Sequence, residues 1–154
     1  MTPLIIGGTA TAPTQTNNGT PVQFTSDPIN EGTRPFVFIN VTNHPSDKWD
    51  AQQREAARQY GEVIDLPFPA VDPYATSSEI EQLAATYLEL VTGIAAGRQP
   101  IVHLMGEMTF TYALVQLLKA RGIPCLASTT SRDVVMLPDG TKQVAFHFCQ
   151  FREY

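Results

Sequence analysis

The sequence predicts an α/β fold: an open, mostly parallel sheet with helices on both faces and a C-terminal β-hairpin. After residue 35, short apolar segments rich in β-branched residues alternate with segments of helical periodicity, which is typical of βαβ units. Near the C-terminus, two apolar segments flank Asp139 and Gly140, a dipeptide that favours a hairpin turn. With 154 residues, 43% of them hydrophobic, the chain has the size and core content of one domain.

Residues 1–35 differ from the rest of the chain because they are rich in Thr, Pro, Gly and Asn. Little periodicity occurs there beyond residues 4–6 and 22–24, so we interpret the segment as an extended N-terminal arm or leader. It could be a flexible tail, or it could wrap a partner subunit. No basic segment followed by a long apolar run is present, so we expect no signal peptide and a cytoplasmic location.

The first strand and helix of the core domain, residues 36–154, have clear signals. FVFINV (residues 36–41) is a β-branched and aromatic run, which predicts a buried strand. A helix begins near Asp50, which has capping-box spacing to Gln53, and Gly61 ends it. EVIDLPF (residues 62–68) is the second predicted strand, and a proline-rich turn follows. The apolar face of this helix consists of Trp49, Ala56, Ala57 and Tyr60.

The second helix has a stronger pattern. Thr76 and Glu79 have capping-box spacing, and Gly97 lies just past the predicted end. PIVHLM (residues 100–105) then predicts the third strand. Apolar residues recur at helical spacing between the cap and Gly97: Ile80, Leu83, Ala84, Tyr87, Leu88, Val91 and Ile94.

The third helix follows the third strand with almost no loop between them. Lys119 and Arg121 fall in its last turn, where cations are favourable, and Gly122 ends it. IPCLAST (residues 123–129) predicts a fourth strand, and VVML and QVAFHFCQF form the terminal hairpin. The apolar face of the helix consists of Phe110, Ala113, Leu114, Leu117 and Leu118. The last strand alternates, with one face formed by Val144, Phe146 and Phe148.

Net charge, hydropathy and cysteine content argue against a long nucleic acid or a membrane as partner, and against a disulfide or a metal site. A net charge of −5 disfavours binding to a long nucleic acid, which needs a basic face, but allows a small anionic ligand. No apolar run is long enough to span a bilayer, so we expect no membrane partner. Cys125 and Cys149 lie in strand-like segments, which favours two buried free thiols over a disulfide. With three scattered histidines and no CxxC, no metal site is expected.

The predicted strand order 2-1-3-4 places the ligand site at the switch point between strands 1 and 3, outside the carboxyl ends of the strands. Three polar segments meet there: residues 40–49, 105–111 and 128–132. Their hydroxyls, amides and cations suit phosphate and ribose. The candidate ligand-binding residues are Asn40, Thr42, Asn43, Ser46, Met105, Gly106, Met108, Thr109, Thr111, Ser128, Thr129 and Thr130. The candidate catalytic residues are His44, Glu107 and Arg132.

Each candidate also has a purely structural interpretation. Thr109 or Thr111 could cap the third helix, and Glu107 could simply complement the helix dipole. Arg132 could close a surface ion pair. His44, which precedes a proline in a loop, could be solvent-exposed only.

The other aromatic and imidazole side chains favour structural roles. Trp49 is expected to pack against the first helix rather than stack on a base. His103, within the third strand, is expected to be a core histidine, and His147 in the last strand a surface residue. The chain also lacks a GxGxxG motif after the first strand, a Walker A motif and a GxSxG motif. It therefore carries no signature of a Rossmann dinucleotide-binding enzyme, a P-loop nucleoside triphosphatase or an α/β-hydrolase.

The segments FINVTNHPSDKW, MGEMTFTYALVQLLKARGI and ASTTSR carry a resemblance to a known group of proteins. They resemble the polar segments after strands 1, 3 and 4 in the CRISPR-associated Rossmann-like (CARF) families of type III CRISPR systems, which include ring nucleases. The resemblance covers residues 36–154 at the level of architecture and leaves the N-terminal arm unexplained.

The resemblance implies a homodimer that binds cyclic oligoadenylate, with cyclic tetra-adenylate as the expected ring. It further implies a standalone ring nuclease that uses no metal and no cofactor. A ribose 2′-OH would attack the adjacent phosphorus, leaving a 2′,3′-cyclic phosphate and a 5′-OH. His44 would be the general acid or base, Arg132 and the amides of residues 106–109 would bind phosphate, and Glu107 would be a base or a ribose contact.

Three other functions remain open on the same residues. A sensor or sponge would bind cyclic oligoadenylate and leave it intact. A nucleoside-processing enzyme, such as a deoxyribosyltransferase, would use Glu107 as a nucleophilic carboxylate. A structural or interaction protein would use none of these groups, and the concentration of polar residues at the switch point argues against it.

Overall fold

In the computed structural model, which describes residues 36–154, five strands and three α-helices follow one another along the chain. The predicted N-terminal arm, residues 1–35, lies outside the described residues. The elements are β1 (Phe36–Thr42), a 3₁₀ turn (Ser46–Lys48), α1 (Ala51–Arg58), β2 (Glu62–Asp65), α2 (Ser77–Ala95), β3 (Gln99–Met105), α3 (Met108–Ala120), β4 (Cys125–Met136) and β5 (Lys142–Glu153).

The strands form one sheet in the order β2-β1-β3-β4-β5. The pairs β2–β1, β1–β3 and β3–β4 are parallel, and β4–β5 is antiparallel. This confirms the predicted α/β class, the central order and the C-terminal hairpin. Because β1 lies between β2 and β3, the connections leave it in opposite directions, which creates the switch point at its carboxyl end.

Helices cover both faces of the sheet, as predicted. One face packs against α2 and α3 and holds the larger apolar cluster, in which Val37, Ile39 and Val41 of β1 are fully buried. The opposite face packs against α1 and holds a smaller, aromatic cluster that includes Phe38 and Trp49. The alternation along β1 therefore sends successive side chains into two different cores.

The predicted helix ends are confirmed by their capping groups. Thr76 and Glu79 form a complete capping box at the start of α2, while Asp50 accepts a hydrogen bond from the Gln53 amide at the start of α1. Gly97 and Gly122 follow α2 and α3 in the left-handed region, with φ of 84° and 69°.

The second strand is shorter than predicted. It comprises four residues, Glu62–Asp65, instead of residues 62–68. Leu66 still donates a backbone hydrogen bond of 2.9 Å to Asn40 O, but Pro67 has no amide hydrogen to continue the ladder.

The fourth strand is longer than predicted, because β4 continues for 12 residues into the terminal hairpin. The predicted fourth strand stopped at residue 129, yet residues 130–132 also lie inside this strand and pair with β5. The sequence from Cys125 to Met136 contains no glycine or proline, so nothing interrupts the pairing once β5 is present. The two strands project past the parallel part of the sheet as an antiparallel ribbon.

The ribbon contains a β-bulge. Thr129 pairs with Gln150 and Thr130 with Phe148, so the register skips Cys149. The prediction of two buried thiols is therefore correct for Cys125 and wrong for Cys149, which is exposed; both thiols are free. The bulge leaves Cys149 outside the ladder and outside either core.

No helix within residues 36–154 combines the length and the apolar character needed to cross a membrane.

Candidate functional site

A cleft of about 730 Å³ lies at the carboxyl ends of β1 and β3, where the switch point was predicted. The loop after β1 and the start of α1 form one wall, the β3–α3 joint forms the floor, and the β4–β5 ribbon forms the other wall. Seven of the predicted site residues line it: Thr42, Asn43, His44, Met105, Gly106, Ser128 and Thr130. Seven further residues complete the lining: Lys48, Trp49, Asp50, Gln53, His103, Phe146 and Phe148.

Asn40 connects three elements beneath the cleft. Its side chain is buried, and its Nδ2 donates hydrogen bonds of 2.9 Å to His44 O and 2.7 Å to Asp65 Oδ1. Its Oδ1 lies 3.0 Å from both His103 Nδ1 and Thr42 Oγ1. All four hydrogen-bonding positions of the amide are therefore used inside the protein. Asn40 holds the residues around the cleft in place but does not line the cleft itself.

The backbone of His44 is held by side chains around it. Its carbonyl oxygen also accepts a hydrogen bond of 3.0 Å from Trp49 Nε1, and its amide donates one of 3.1 Å to Thr42 Oγ1. The imidazole itself is exposed and lines the cleft. A fixed backbone with a free side chain suits a group that must reach a ligand in a defined geometry.

Ser46 supports the same loop from the side of β2. Its amide and hydroxyl donate to the carboxylate of Asp65, with the hydroxyl bond at 2.8 Å. Ser46 lies outside the cleft lining, so its hydrogen bonds fix the loop that presents His44.

His103 lies in β3 and is only 2% exposed, which agrees with the predicted core position. Its ring also lines the cleft, which the sequence did not indicate. Burial, with a smaller contribution from the nearby charge of His44, lowers the pKa of His103 to about 4. The two imidazoles are thus close enough to interact, and His103 is neutral near pH 7.

Glu107 is the N-cap of α3, so neither Thr109 nor Thr111, the two alternatives considered for this role, caps the helix. Its carboxylate accepts hydrogen bonds from the amides of Thr109 and Phe110, at 3.1 and 2.8 Å, and from the Thr109 hydroxyl at 2.8 Å. These bonds hold the pKa of Glu107 below its ordinary value. The Thr109 amide, which was expected to bind phosphate, therefore already donates to a carboxylate, and neither Glu107 nor Thr109 lines the cleft.

Gly106 is required by a close contact inside the protein. A Cβ atom at this position would overlap the aromatic ring of Phe68, which packs edge-on against Phe110. Thr111 is buried and its hydroxyl has no hydrogen-bond partner within residues 36–154. Met108 is 81% exposed and, like Thr111, is absent from the lining.

The ribbon places alternate residues of β4 on the cleft side. Ser128 and Thr130 line the cleft, while the Thr129 hydroxyl donates to Gln150 O at 3.3 Å. Arg132 pairs with Phe146, and opposite residues of an antiparallel pair share a face, so Arg132 lies on the cleft side one step beyond Thr130. The Ser128 hydroxyl lies 3.1 Å from Met105 Sδ, which joins the ribbon to β3.

Phe146 and Phe148 were predicted to share a strand face, but their position on a ligand cleft was missed. Their alternation is the pattern of any half-buried strand, and only the length of β4 brings them to the cleft. Lys48, which lies within the polar segment 40–49, was also missed, as were Asp50 and Gln53, which follow that segment.

The cleft combines aromatic rings, one lysine, hydroxyls and two imidazoles at one site. Aromatic rings stack on bases, cations and hydroxyls bind phosphate, and imidazoles transfer protons near neutral pH. No three His, Cys, Asp or Glu side chains of the described part of the chain converge in a group that could hold a metal ion. The cleft therefore offers a ligand apolar ring faces, hydrogen-bond donors, one cation and two imidazoles.

The family model described as the uncharacterized protein MJ1673 family matches residues 37–152, about three quarters of the chain. A comparison with curated proteins gives no match.

Proposed function

The chain belongs to the uncharacterized protein MJ1673 family, and we propose that it binds and cleaves cyclic oligoadenylate as a metal-independent ring nuclease. In this role it would remove the second messenger of type III CRISPR signalling in the cytoplasm. The observation that carries the proposal is the position of His44. Its backbone is fixed by hydrogen bonds, and its imidazole stands in a nucleotide-sized cleft with Lys48 and two phenylalanine rings.

In the proposed reaction, a ribose 2′-oxygen attacks the adjacent phosphorus, and the bond from phosphorus to the 5′-oxygen breaks. The products are a 2′,3′-cyclic phosphate and a 5′-OH. His44 acts as the general acid that protonates the leaving 5′-oxygen. Lys48, which lines the cleft, and Arg132, which lies outside the lining and one step beyond Thr130 on the same face of the ribbon, stabilise the negative charge that develops on the phosphate oxygens.

The aromatic side chains of the cleft support a nucleotide as the ligand. Phe146 is 66% exposed although it is a large apolar side chain, and it lines the cleft. Base stacking on such a ring is favourable for any base, and adenine presents a large face. Glu107 is given no catalytic role, because its carboxylate already accepts three hydrogen bonds from α3.

A ring of linked AMP units is larger than one such cleft, so the proposal includes a homodimer with two clefts facing one ring. Three large apolar side chains next to the cleft floor support a contact with a second copy. Met105, Met108 and Tyr112 are all exposed, with Met108 and Tyr112 one turn apart on α3.

The test is incubation of the purified full-length chain with cyclic tri-, tetra- and hexa-adenylate in the presence of a chelator. Products are resolved by chromatography and mass spectrometry. We expect linear products with 2′,3′-cyclic phosphate ends, with cyclic tetra-adenylate the best substrate, and a rate at least 100-fold lower for His44→Ala. Recovery of a bound but intact ring would establish a sensor or sponge instead. Absence of both binding and cleavage would overturn the proposal.

A further inference from the structure

His103 is surrounded by aromatic rings at the base of the cleft. Its ring centroid lies 5.0 Å from that of Phe151, 5.5 Å from that of Trp49 and 6.0 Å from that of Phe38. Such surroundings disfavour a charged imidazole, so the ring is held in its neutral form, with one nitrogen protonated and the other carrying a lone pair.

The hydrogen bonds of Asn40 decide which nitrogen carries the proton. Asn40 Nδ2 lies 2.7 Å from a carboxylate oxygen of Asp65 and 2.9 Å from His44 O, both of which only accept hydrogen bonds. This fixes the orientation of the amide, so the Asn40 atom 3.0 Å from His103 Nδ1 is the acceptor oxygen. His103 Nδ1 must therefore donate, and Nε2 carries the lone pair.

Nε2 is buried and has no hydrogen-bond partner within residues 36–154. The ring that carries it lines the cleft, next to His44 and Trp49. A buried acceptor without a partner is unfavourable and needs an explanation. A hydrogen-bond donor of a ligand in the cleft would supply the partner.

We propose that His103 is a catalytic residue of the cleft whose Nε2 accepts the proton of the attacking 2′-OH. This inference rests on the proposed function. As the 2′-oxygen forms its bond to phosphorus, its proton moves to Nε2, and the leaving 5′-oxygen takes a proton from His44. His103 then returns its proton to solvent, and His44 takes one up, so the enzyme is restored.

Asp65 and Asn40 have a positioning role in this scheme. Together they hold the proton on Nδ1, which keeps the lone pair of Nε2 available, and they fix the orientation of the ring. The same Asn40 amide also donates to His44 O, so one side chain orders both imidazoles.

His103→Asn is the informative variant, because the amide nitrogen of asparagine can replace Nδ1 as the donor to Asn40 while Nε2 is lost. We expect the single-turnover cleavage rate of cyclic tetra-adenylate to fall at least 100-fold, with binding affinity within about threefold of the parent. His147→Asn is the matched control. His147 is exposed, lies beside Asp133 and is outside the cleft, so its loss should leave the rate unchanged.

A second measurement does not depend on whether the variant folds. ¹⁵N NMR of the histidine-labelled parent protein should show His103 as the Nδ1–H tautomer. In the histidine-labelled His44→Ala variant, which should hold the ring uncleaved, the Nε2 signal should shift when cyclic tetra-adenylate is added, and should shift less with a 2′-O-methylated ring, which lacks the 2′ hydrogen-bond donor. An Nε2–H tautomer would overturn the inference. Cleavage by a folded His103→Asn variant at the parental rate would overturn it while leaving the proposed function intact. A parent that cleaves none of the rings would remove both.

Discussion

The indole Nε1 of Trp49 donates a hydrogen bond of 3.0 Å to the backbone carbonyl oxygen of His44. Trp49 is buried between α1 and the sheet, where it packs in the aromatic cluster. Because the cluster holds the indole in place, the hydrogen bond restrains the loop that presents His44. The Asn40 amide donates to the same oxygen, and the Thr42 hydroxyl accepts a hydrogen bond from the His44 amide. The position of His44 is therefore set by three buried side chains rather than by the loop sequence itself.

We expect Trp49→Phe to retain the fold and to lose this hydrogen bond, at a cost of about 1 kcal/mol in the free energy of unfolding. With His44 less well fixed, kcat for ring cleavage should fall roughly tenfold while KM changes little. Denaturant unfolding and steady-state kinetics measure the two effects. An unchanged kcat would mean that the Trp49 bond does not position His44.

Burial of His103 should make the stability of the protein depend on pH. His103 has a pKa of about 4 in the folded protein against an ordinary value of 6.5, so between these pH values only the unfolded chain takes up the proton. The contribution is fully present above pH 6.5 and is lost as the pH falls towards 4. We expect the free energy of unfolding to decrease by about 2 kcal/mol from this residue between about pH 7 and pH 5.

Denaturant unfolding of the parent and of His103→Gln across that interval checks this pH dependence. The variant should lack the decrease, because glutamine does not titrate. Glu79, Glu107 and Asp139 have lowered pKa values, so their contributions are lost only at more acidic pH. Equal slopes for the two proteins would exclude His103 as the source.

Gly106 and Gly93 should respond in opposite ways to the same substitution. A methyl group at Gly106 would overlap the ring of Phe68, so Gly106→Ala should destabilise the protein by roughly 1–3 kcal/mol. Gly93 lies within α2 with open space around it, so Gly93→Ala should stabilise by about 0.5–1 kcal/mol. Thermal unfolding of both variants tests this, and Phe68→Ala should cost less stability in the Gly106→Ala background than in the parent.

Phe146 should contribute to ligand binding with little effect on folding. It is 66% exposed and lines the cleft, and one base–aromatic stack is worth about 1–3 kcal/mol. Phe146→Ala should therefore raise the Kd for a 2′-O-methylated ring roughly 5- to 150-fold, measured by calorimetry. Tyr74→Ala is the comparison, because Tyr74 is 92% exposed and lies outside the cleft lining. An equal loss for both variants would argue against stacking at Phe146.

Glu107 should behave as a helix cap. Glu107→Ala removes the acceptor for the Thr109 and Phe110 amides and should lower the melting temperature, whereas Glu107→Ser keeps a capping oxygen and should lower it less. Neither variant should change the rate of ring cleavage at a temperature where both are folded. A large loss of rate in the stable Glu107→Ser variant would restore the predicted catalytic role.

The fold was predictable because its signals are local. The Thr76–Glu79 capping box, the apolar spacing from Ile80 onward and the glycines after α2 and α3 each depend on neighbouring residues. The extent of β4 was not predictable in this way. Serines and threonines at residues 128–131 suit a loop or a strand equally, and pairing with β5 decides between them.

The candidate site was only partly predictable, for a related reason. The switch-point rule located the three segments and seven of the lining residues. The role of Gly106 depends on Phe68, which is far away in the sequence, and the cleft-facing ring of His103 depends on Trp49 and Asn40. Contacts of this kind leave no local pattern in the chain.

The bulge at Cys149 determines which face of the ribbon carries its phenylalanines. Phe151 lies in the aromatic cluster, and in an uninterrupted ladder Phe148 and Phe146 would point to the opposite face. Phe151 stands at an odd position and Phe146 and Phe148 at even positions, so strict alternation would separate them. The additional residue, Cys149, brings all three to the same face of the ribbon. Deletion of Cys149 would preserve the cleft wall by regular pairing, whereas deletion of His147 would make Phe146 and Phe148 adjacent and place them on opposite faces. The wall of the cleft therefore depends on where β5 carries its additional residue more than on the identity of the residue at the bulge.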